Sequence, residues 1–264
     1  VSLKGKQKQM YDSMEKELLI ELSGDIQATA PIILTKYLRL QQISSGIIGA
    51  DDDIKYNIVE PENNPRINTI LEIIENEVTN KVIIVCRFKL SMENLYKVLT
   101  SKGYKVAQIY GNMGKALDGQ KRLFHEGDYD ILLAQIQVLA YGHTLCGPDS
   151  NPCLDMIFFE NDFSLFNRSQ CESRPENYER QKNKTQSSIS YWDMYESEMD
   201  KIILKSLIKK EDASMALLGY GRNKGVLSGV IVPTRTKTNG ADDRDEESDN
   251  DGTDEEQESE CSTD

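Results

Sequence analysis

Two histidines, one tryptophan and five cysteines are thin material for metal or redox chemistry in a chain of 264 residues. The cysteines (Cys86, Cys146, Cys153, Cys171, Cys261) form no CxxC pair. An odd, scattered set of this kind suits reduced thiols in a cytosol-like compartment. Cys146 and Cys153 lie near His143, but without a second close pair no zinc site is expected. No apolar run reaches the length of a membrane-crossing helix. The opening VSLKGKQKQMYD lacks the apolar core of a signal peptide, and a start at Val1 suits the cut end of a longer chain. No GxxxxGK[ST] occurs, since neither Gly5-Lys6-Gln7 nor Gly114-Lys115-Ala116 fits it. The backbone cradle, lysine and hydroxyl that hold nucleotide phosphates and magnesium are therefore missing. No DEx[HD] and no solenoid-length repeat is present either.

Excess charge is confined to one end. Residues 241–264 hold 13 of the 44 acidic side chains and one of the 31 basic ones, so a net charge of −13 leaves the body close to neutral. Residues 223–264 are Gly-, Ser-, Thr- and Asn-rich and then acidic. They cannot bury enough apolar surface to offset chain entropy and are expected to be disordered, apart from a short contact by VLSGVIV (226–232). Three roles fit the acidic tail: solubilisation, a site for a basic protein partner, or competition for the body's own basic face.

Apolar periodicity organises the rest. Met10, Met14, Leu18 and Leu22 recur every four residues and predict a helix over 3–22, ended by Ser23-Gly24-Asp25. Pro31 suits a first turn, so 31–44 reads as a second helix, with Leu34, Leu38 and Gln41 along one side and Gly46 closing it. Residues 49–64 are acidic and turn-rich and read as a loop. A helix over 65–78 opens at Pro65, with Ile67, Ile70, Leu71, Ile74 and Val78 at helical spacing. Strands and helices then alternate: strand 81–86, helix 89–102, strand 105–110, helical turns at 120–125, strand 130–136, strand 154–159, a more polar strand 187–193 and a closing helix 197–210. This alternation predicts an α/β fold, a mostly parallel sheet with helices on both faces.

The stretch LDMIFFENDFSLFNRSQCESRPENYER (154–180) organises the chain. Leu154–Phe159 suits a strand buried on both faces, and Glu160, Asn161 and Asp162 follow where such a strand would meet solvent. Gln170 and Arg174 are four residues apart, which on a helix places them on one face. A strand ending in polar residues and leading to such a face is how an open α/β sheet presents a phosphate site at its carboxyl edge. The plain alternative is a surface helix whose Arg174 pairs with Glu172 or Glu176.

Taken in order, several stretches resemble the carboxyl-terminal RecA-like lobe of Swi/Snf-type superfamily-two helicases and translocases, over about residues 2–215. LKGKQKQMYDSMEKEL resembles that lobe's helical opening, where a Gln followed by a Tyr is typical. YLRLQQISSGI (37–47) resembles its Leu-rich helix, and NPRINTILEII (64–74) the helix before the first strand. Residues 81–114 resemble motif IV and its following helix and strand, DILLAQIQVLAYGHTL (130–145) motif V, and Gln170 with Arg174 the Gln-xxx-Arg of motif VI. DMYESEMDKIILKSLIKK (193–210) resembles the closing strand and helix, with Asp200 in the usual acidic position. The resemblance implies a RecA-like fold: a helical opening segment at 1–78, the lobe at 79–222 and the acidic tail at 223–264.

It also implies a function. ATP with magnesium would sit in a cleft shared with an amino-terminal RecA-like lobe, in cis or in trans, that binds them mainly and is absent from this chain. Arg174 would be the arginine finger, Gln170 would position nucleotide or finger, and Arg180 would be a further nucleotide-binding candidate. Gln135, Gln137, Gly142 and Thr144 would line the face near nucleic-acid phosphates, and Arg87 and Lys89 would touch a phosphate backbone. DNA is the expected track, with RNA open, and the setting would be cytoplasmic or nuclear, including the host cell of a virus. The sequence departs from the family at two motifs. Motif V keeps only its final glycine, in Val138-Leu139-Ala140-Tyr141-Gly142, and the second arginine of motif VI is replaced by Asn177. Arg180 would substitute only through a rearranged loop. These departures favour a second reading, a degenerate lobe that docks nucleic acid or protein without catalysis. An unrelated nucleotide-binding α/β domain is a third, against which the missing glycine-rich loops count.

Overall fold

The computed structural model describes residues 2–22, 30–49, 55–141 and 144–209. Helices α1 (Gly5–Leu22) and α2 (Ala30–Ser44) follow the apolar periodicity. The expected loop at 49–64 instead contains part of a small antiparallel ladder, β1 (Ile47–Gly49) with β2 (Lys55–Asn57), and a 3-10 turn at Pro61–Asn63. Strands of three residues are too short to show alternation, which is why the sequence hid them. Helix α3 (Pro65–Asn76) starts where Pro65 predicts. Asn64 caps it: its side chain accepts the Arg66 N–H at 3.0 Å, and its Nδ2 donates to the Ser45 carbonyl at 2.9 Å. Gly46 has φ +81°, and a Cβ there would lie 2.6 Å from Asn64 Nδ2, so both dihedral and space require glycine. Asn64→Ala removes the cap and one partner of a buried carbonyl. It is expected to cost about 1–2 kcal/mol, read by thermal or urea unfolding, and an unchanged midpoint would show that α3 does not depend on this cap.

The sheet follows. Its elements in chain order are β3 (Lys81–Cys86), α4 (Lys89–Ser101), β4 (Val106–Ile109), α5 (Ala116–His125), β5 (Ile131–Gln135), α6 (Ile136–Leu139), β6 (Cys153–Phe158), α7 (Leu165–Glu172), α8 (Tyr178–Lys182), β7 (Ser190–Asp193) and α9 (Glu198–Lys209). Five strands lie in the order β4-β5-β3-β6-β7, and every pairing is parallel. Because side chains alternate along a strand, Val82, Ile84 and Cys86 pack with α3 and α4, while Ile83 and Val85 pack with α5, α6 and α7. β3 is buried along its whole length, which explains its unbroken apolar run. Its one charged residue, Lys81, is 1% exposed and donates to the Gly127 and Tyr129 carbonyls at 3.0 and 2.7 Å.

A separate helical layer consists of α1, α2 and α9, joined by Leu18, Leu40, Ile43 and Ile203. Gln7 and Tyr11, the Gln and Tyr of the opening helix, work here. Gln7 Nε2 donates to the last carbonyls of α2, Ile43 and Ser44, at 2.9 and 3.0 Å, and the Tyr11 hydroxyl accepts the Met199 N–H at 3.1 Å. Among the described residues no helix is long and apolar enough to cross a membrane. The expected tail at 223–264, with VLSGVIV, lies outside the described residues, as do Gly142 and His143.

Candidate functional site

The carboxyl edge of the sheet is closed by side chains that follow β6. Glu160, Asn161 and Asp162 do not meet solvent as their polarity suggested; they are 0%, 5% and 9% exposed. Each has a partner that makes burial tolerable. Glu160 accepts the Arg87 backbone N–H at 2.8 Å and the Ser91 hydroxyl at 2.5 Å. Burial still pushes its pKa up, opposed by the Ser91 bond and by Arg66. Asp162 accepts the Ser164 N–H at 2.9 Å and the Asn167 amide at 2.8 Å, and Ser164 caps α7 by accepting the Asn167 N–H at 3.1 Å. The start of α7 is thereby fixed.

Gln170 lies in α7, but the helix ends at Ser173, so Arg174 sits just past it. The two side chains still meet: Arg174 Nη2 donates to Gln170 Oε1 at 2.7 Å and to the Ala140 carbonyl at 2.7 Å. The Arg174 carbonyl accepts the Leu145 N–H at 2.9 Å. The segment after β5 and the segment after β6, which the sequence singled out separately, thus form one ridge at Ala140, Leu145, Gln170 and Arg174. Tyr141 stands on it 66% exposed, and Thr144 and Gln137 are also exposed.

Other candidates lie apart from this ridge or in protein contacts. Gln135 ends β5 and accepts the Gly111 N–H at 3.1 Å. Arg87 turns inward, its guanidinium donating to Gln41, and lines a cleft of about 290 Å³ between α2 and α9. Burial lowers its pKa, against the pull of Asp162 and Glu160. Lys89 is exposed, 3.9 Å from Glu93 and 4.9 Å from the Tyr110 ring centre. Arg180 is buried in α8, which periodicity had not predicted. It donates to Asp149 at 2.7 Å and to the Cys146 and Gly147 carbonyls at 3.1 and 2.9 Å. Asn177 is the N-cap of α8, accepting the Glu179 and Arg180 N–H groups at 2.9 and 3.2 Å. The position where a second arginine was sought therefore starts a helix.

No family model matches the sequence, and no curated protein matches it. Solved structures do match the fold. The C-terminal part of the Fun30 ATPase domain superposes with a TM-score of 0.63 at 11% identity, covering 84% of this chain and 96% of that one. The Sulfolobus solfataricus SWI2/SNF2 ATPase core, solved in complex with dsDNA, gives 0.59 at 16% identity, covering 84% of this chain and 45% of that one. The chain shares its fold with these two structures, a RecA-like α/β layer built on a parallel sheet.

Two charged clusters of this fold escaped the sequence. Arg66, 0% exposed, donates to Asp200 at 2.7 Å, to Glu196 at 3.3 Å and to the Phe159 carbonyl at 2.8 Å, tying α3 and α9 to the end of β6. Arg168 in α7 bonds Asn161, Glu172 and Asp193. A signal for the first was present: Arg66 and Asp200 sit inside apolar helix faces, where an unpaired charge would be costly.

Proposed function

We propose that this lobe is the second half of an ATP-dependent nucleic-acid translocase or helicase, with DNA as the expected track. An amino-terminal RecA-like lobe, in cis or in trans, would supply the phosphate loop and the magnesium ligands. The observation that supports this most directly is the ridge where Gln170 holds the Arg174 guanidinium beside the segment that follows β5. A guanidinium stays charged at any working pH and suits phosphate oxygens. Bound ATP with magnesium would supply the phosphoryl group whose developing charge needs stabilising. We assign magnesium to the partner lobe together with the phosphate loop. We assign Gln137, Gly142, Thr144 and Lys89 to nucleic-acid phosphates, with Gln135 and Arg87 supporting their strand ends. Arg180 would join the nucleotide only by leaving Asp149.

A second reading rests on a specific observation. Asn177 caps α8 and Arg180 bonds the 146–149 loop, so the lobe offers one arginine where two are expected. A non-catalytic docking module would tolerate that. Nucleic-acid-stimulated ATP hydrolysis, measured with the amino-terminal lobe supplied, separates the two. Stimulated turnover supports the motor. A folded, nucleic-acid-bound pair without turnover overturns it in favour of docking. The chain alone is expected to be silent on either reading.

A further inference from the structure

We infer that Arg168 is a positioning residue for Gln170 and Arg174, holding α7 in the placement that presents them. This rests on the functional reading above. An isolated helix of eight residues is too short to persist by its own propensity, so α7 depends on what it is tied to. Its cap fixes the first turn; the rest is held by Arg168, by the Tyr191 hydroxyl, which donates to the Glu172 carbonyl at 2.9 Å, and by buried Cys171. The guanidinium, 10% exposed, donates from Nε to Glu172 Oε1 on α7 itself at 2.8 Å. From Nη1 it donates to Asn161 Oδ1, just after β6, at 2.8 Å. Both terminal nitrogens bond the Asp193 carboxylate at the end of β7, Nη2 to Oδ2 at 3.1 Å. The guanidinium carbon also lies 3.5 Å from the centre of the Phe158 ring in β6.

One side chain therefore joins α7 to two adjacent strands. Asn161 strengthens the joint, because its Nδ2 donates to Asp193 Oδ1 at 2.8 Å and its carbonyl accepts Gln41 Nε2 at 2.5 Å from α2. Residues two apart on a helix do not face each other, so Arg168 grips the sheet while Gln170 faces Arg174 and Ala140. Arg168 thus acts on the ridge without touching it. Its planar fork suits the two-oxygen contact with Asp193 in a way a lysine cannot reproduce.

Three variants test this: Arg168→Met, Arg174→Ala and the double mutant. Each is checked for folding by thermal unfolding and assayed with the amino-terminal lobe supplied. Arg168→Met should lower kcat roughly 10²-fold, as misplacement of a reacting group does, with KM for ATP and nucleic-acid affinity nearly unchanged. In the Arg174→Ala background the same substitution should cost far less than in wild type, because it acts through the Gln170–Arg174 pair that Arg174→Ala has already broken. A folded Arg168→Met that keeps wild-type kcat, or losses that multiply in the double mutant, would overturn the inference. Amide hydrogen exchange over residues 166–174 in the chain alone decides independently of turnover. Exchange should quicken in Arg168→Met, and unchanged protection rejects the positioning role. Absent turnover in wild type counts against the functional reading and leaves this exchange result to stand.

Discussion

Arg174→Ala is expected to lower nucleic-acid-stimulated ATP turnover by roughly 10³-fold, the lower end of what removing an arginine finger costs. Folding and nucleic-acid affinity should change little. The sequence carries no GxxxxGK[ST], and on the proposed reading its contribution to hydrolysis would be charge delivered to the transferring group when two lobes close. The competing account is that Arg174 is a structural tie, since its Nη2 already bonds the Ala140 carbonyl and Gln170. The two accounts differ in magnitude. Loss of such half-buried bonds costs about 1 kcal/mol of stability, which leaves a stable protein folded and active. Loss of a finger removes turnover from a protein that stays folded. Arg174→Lys keeps the charge without the fork and should recover only part of the rate. Measured kcat and KM beside a melting curve decide the matter. Turnover that survives in folded Arg174→Ala would remove Arg174 from the chemistry and favour the docking module.

Much of the fold was legible because it is written in local patterns. The apolar run 81–86 became a strand buried on both sides, and Pro65 opened a helix one residue after its cap. The spacing of Gln170 and Arg174 was legible too, although the contact they make is not that of two residues on one helix. The helix ends between them, and the turn brings Arg174 back onto Gln170 and Ala140. What stayed hidden is what local pattern cannot carry. α8 is five residues long, and its cap, Asn177, read as the absence of an arginine. Arg168 in a polar stretch looks like a surface arginine paired with Glu172 one turn on, because Asp193, the carboxylate that ties it to the sheet, lies 25 residues away. Glu160, Asn161 and Asp162 looked solvent-facing because their partners, among them Arg87, Ser91 and Arg168, come from other elements. Polar residues are placed by non-local pairing, and only the fold supplies the pairs.

The largest loss of stability is expected for Arg66→Met. Three buried carboxylates surround this guanidinium: Asp200 and Glu196 bond it directly, and Glu160 adds attraction. Burial alone would lower the pKa of Arg66, yet these carboxylates hold it above its ordinary value. Removing one partner of a buried ion pair costs about 3–5 kcal/mol, because the remaining charges are left without compensation. For a domain of this size that lowers Tm by roughly 10 °C or more. The deficit should depend on pH, with a definite sign. Glu160 and Glu196 already lie above the usual glutamate range, burial being the largest cause and Arg66 opposing it. Glu196 Oε1, moreover, is buried without a hydrogen-bond partner among the described residues. A carboxyl raised in the folded state contributes stability that is fully present below its unfolded pKa and is lost as pH rises through its folded pKa. Without Arg66 the nearest opposing charge is gone, leaving Glu160 only its hydrogen bonds, so these pKa values climb further and the folded variant holds protons that wild type releases. The Tm gap should therefore be widest at about pH 8 and narrow toward about pH 5, where protonation neutralises the stranded carboxylates. A gap that is constant or widens toward acid would show that Glu196, Asp200 and Glu160 are not the charges Arg66 compensates.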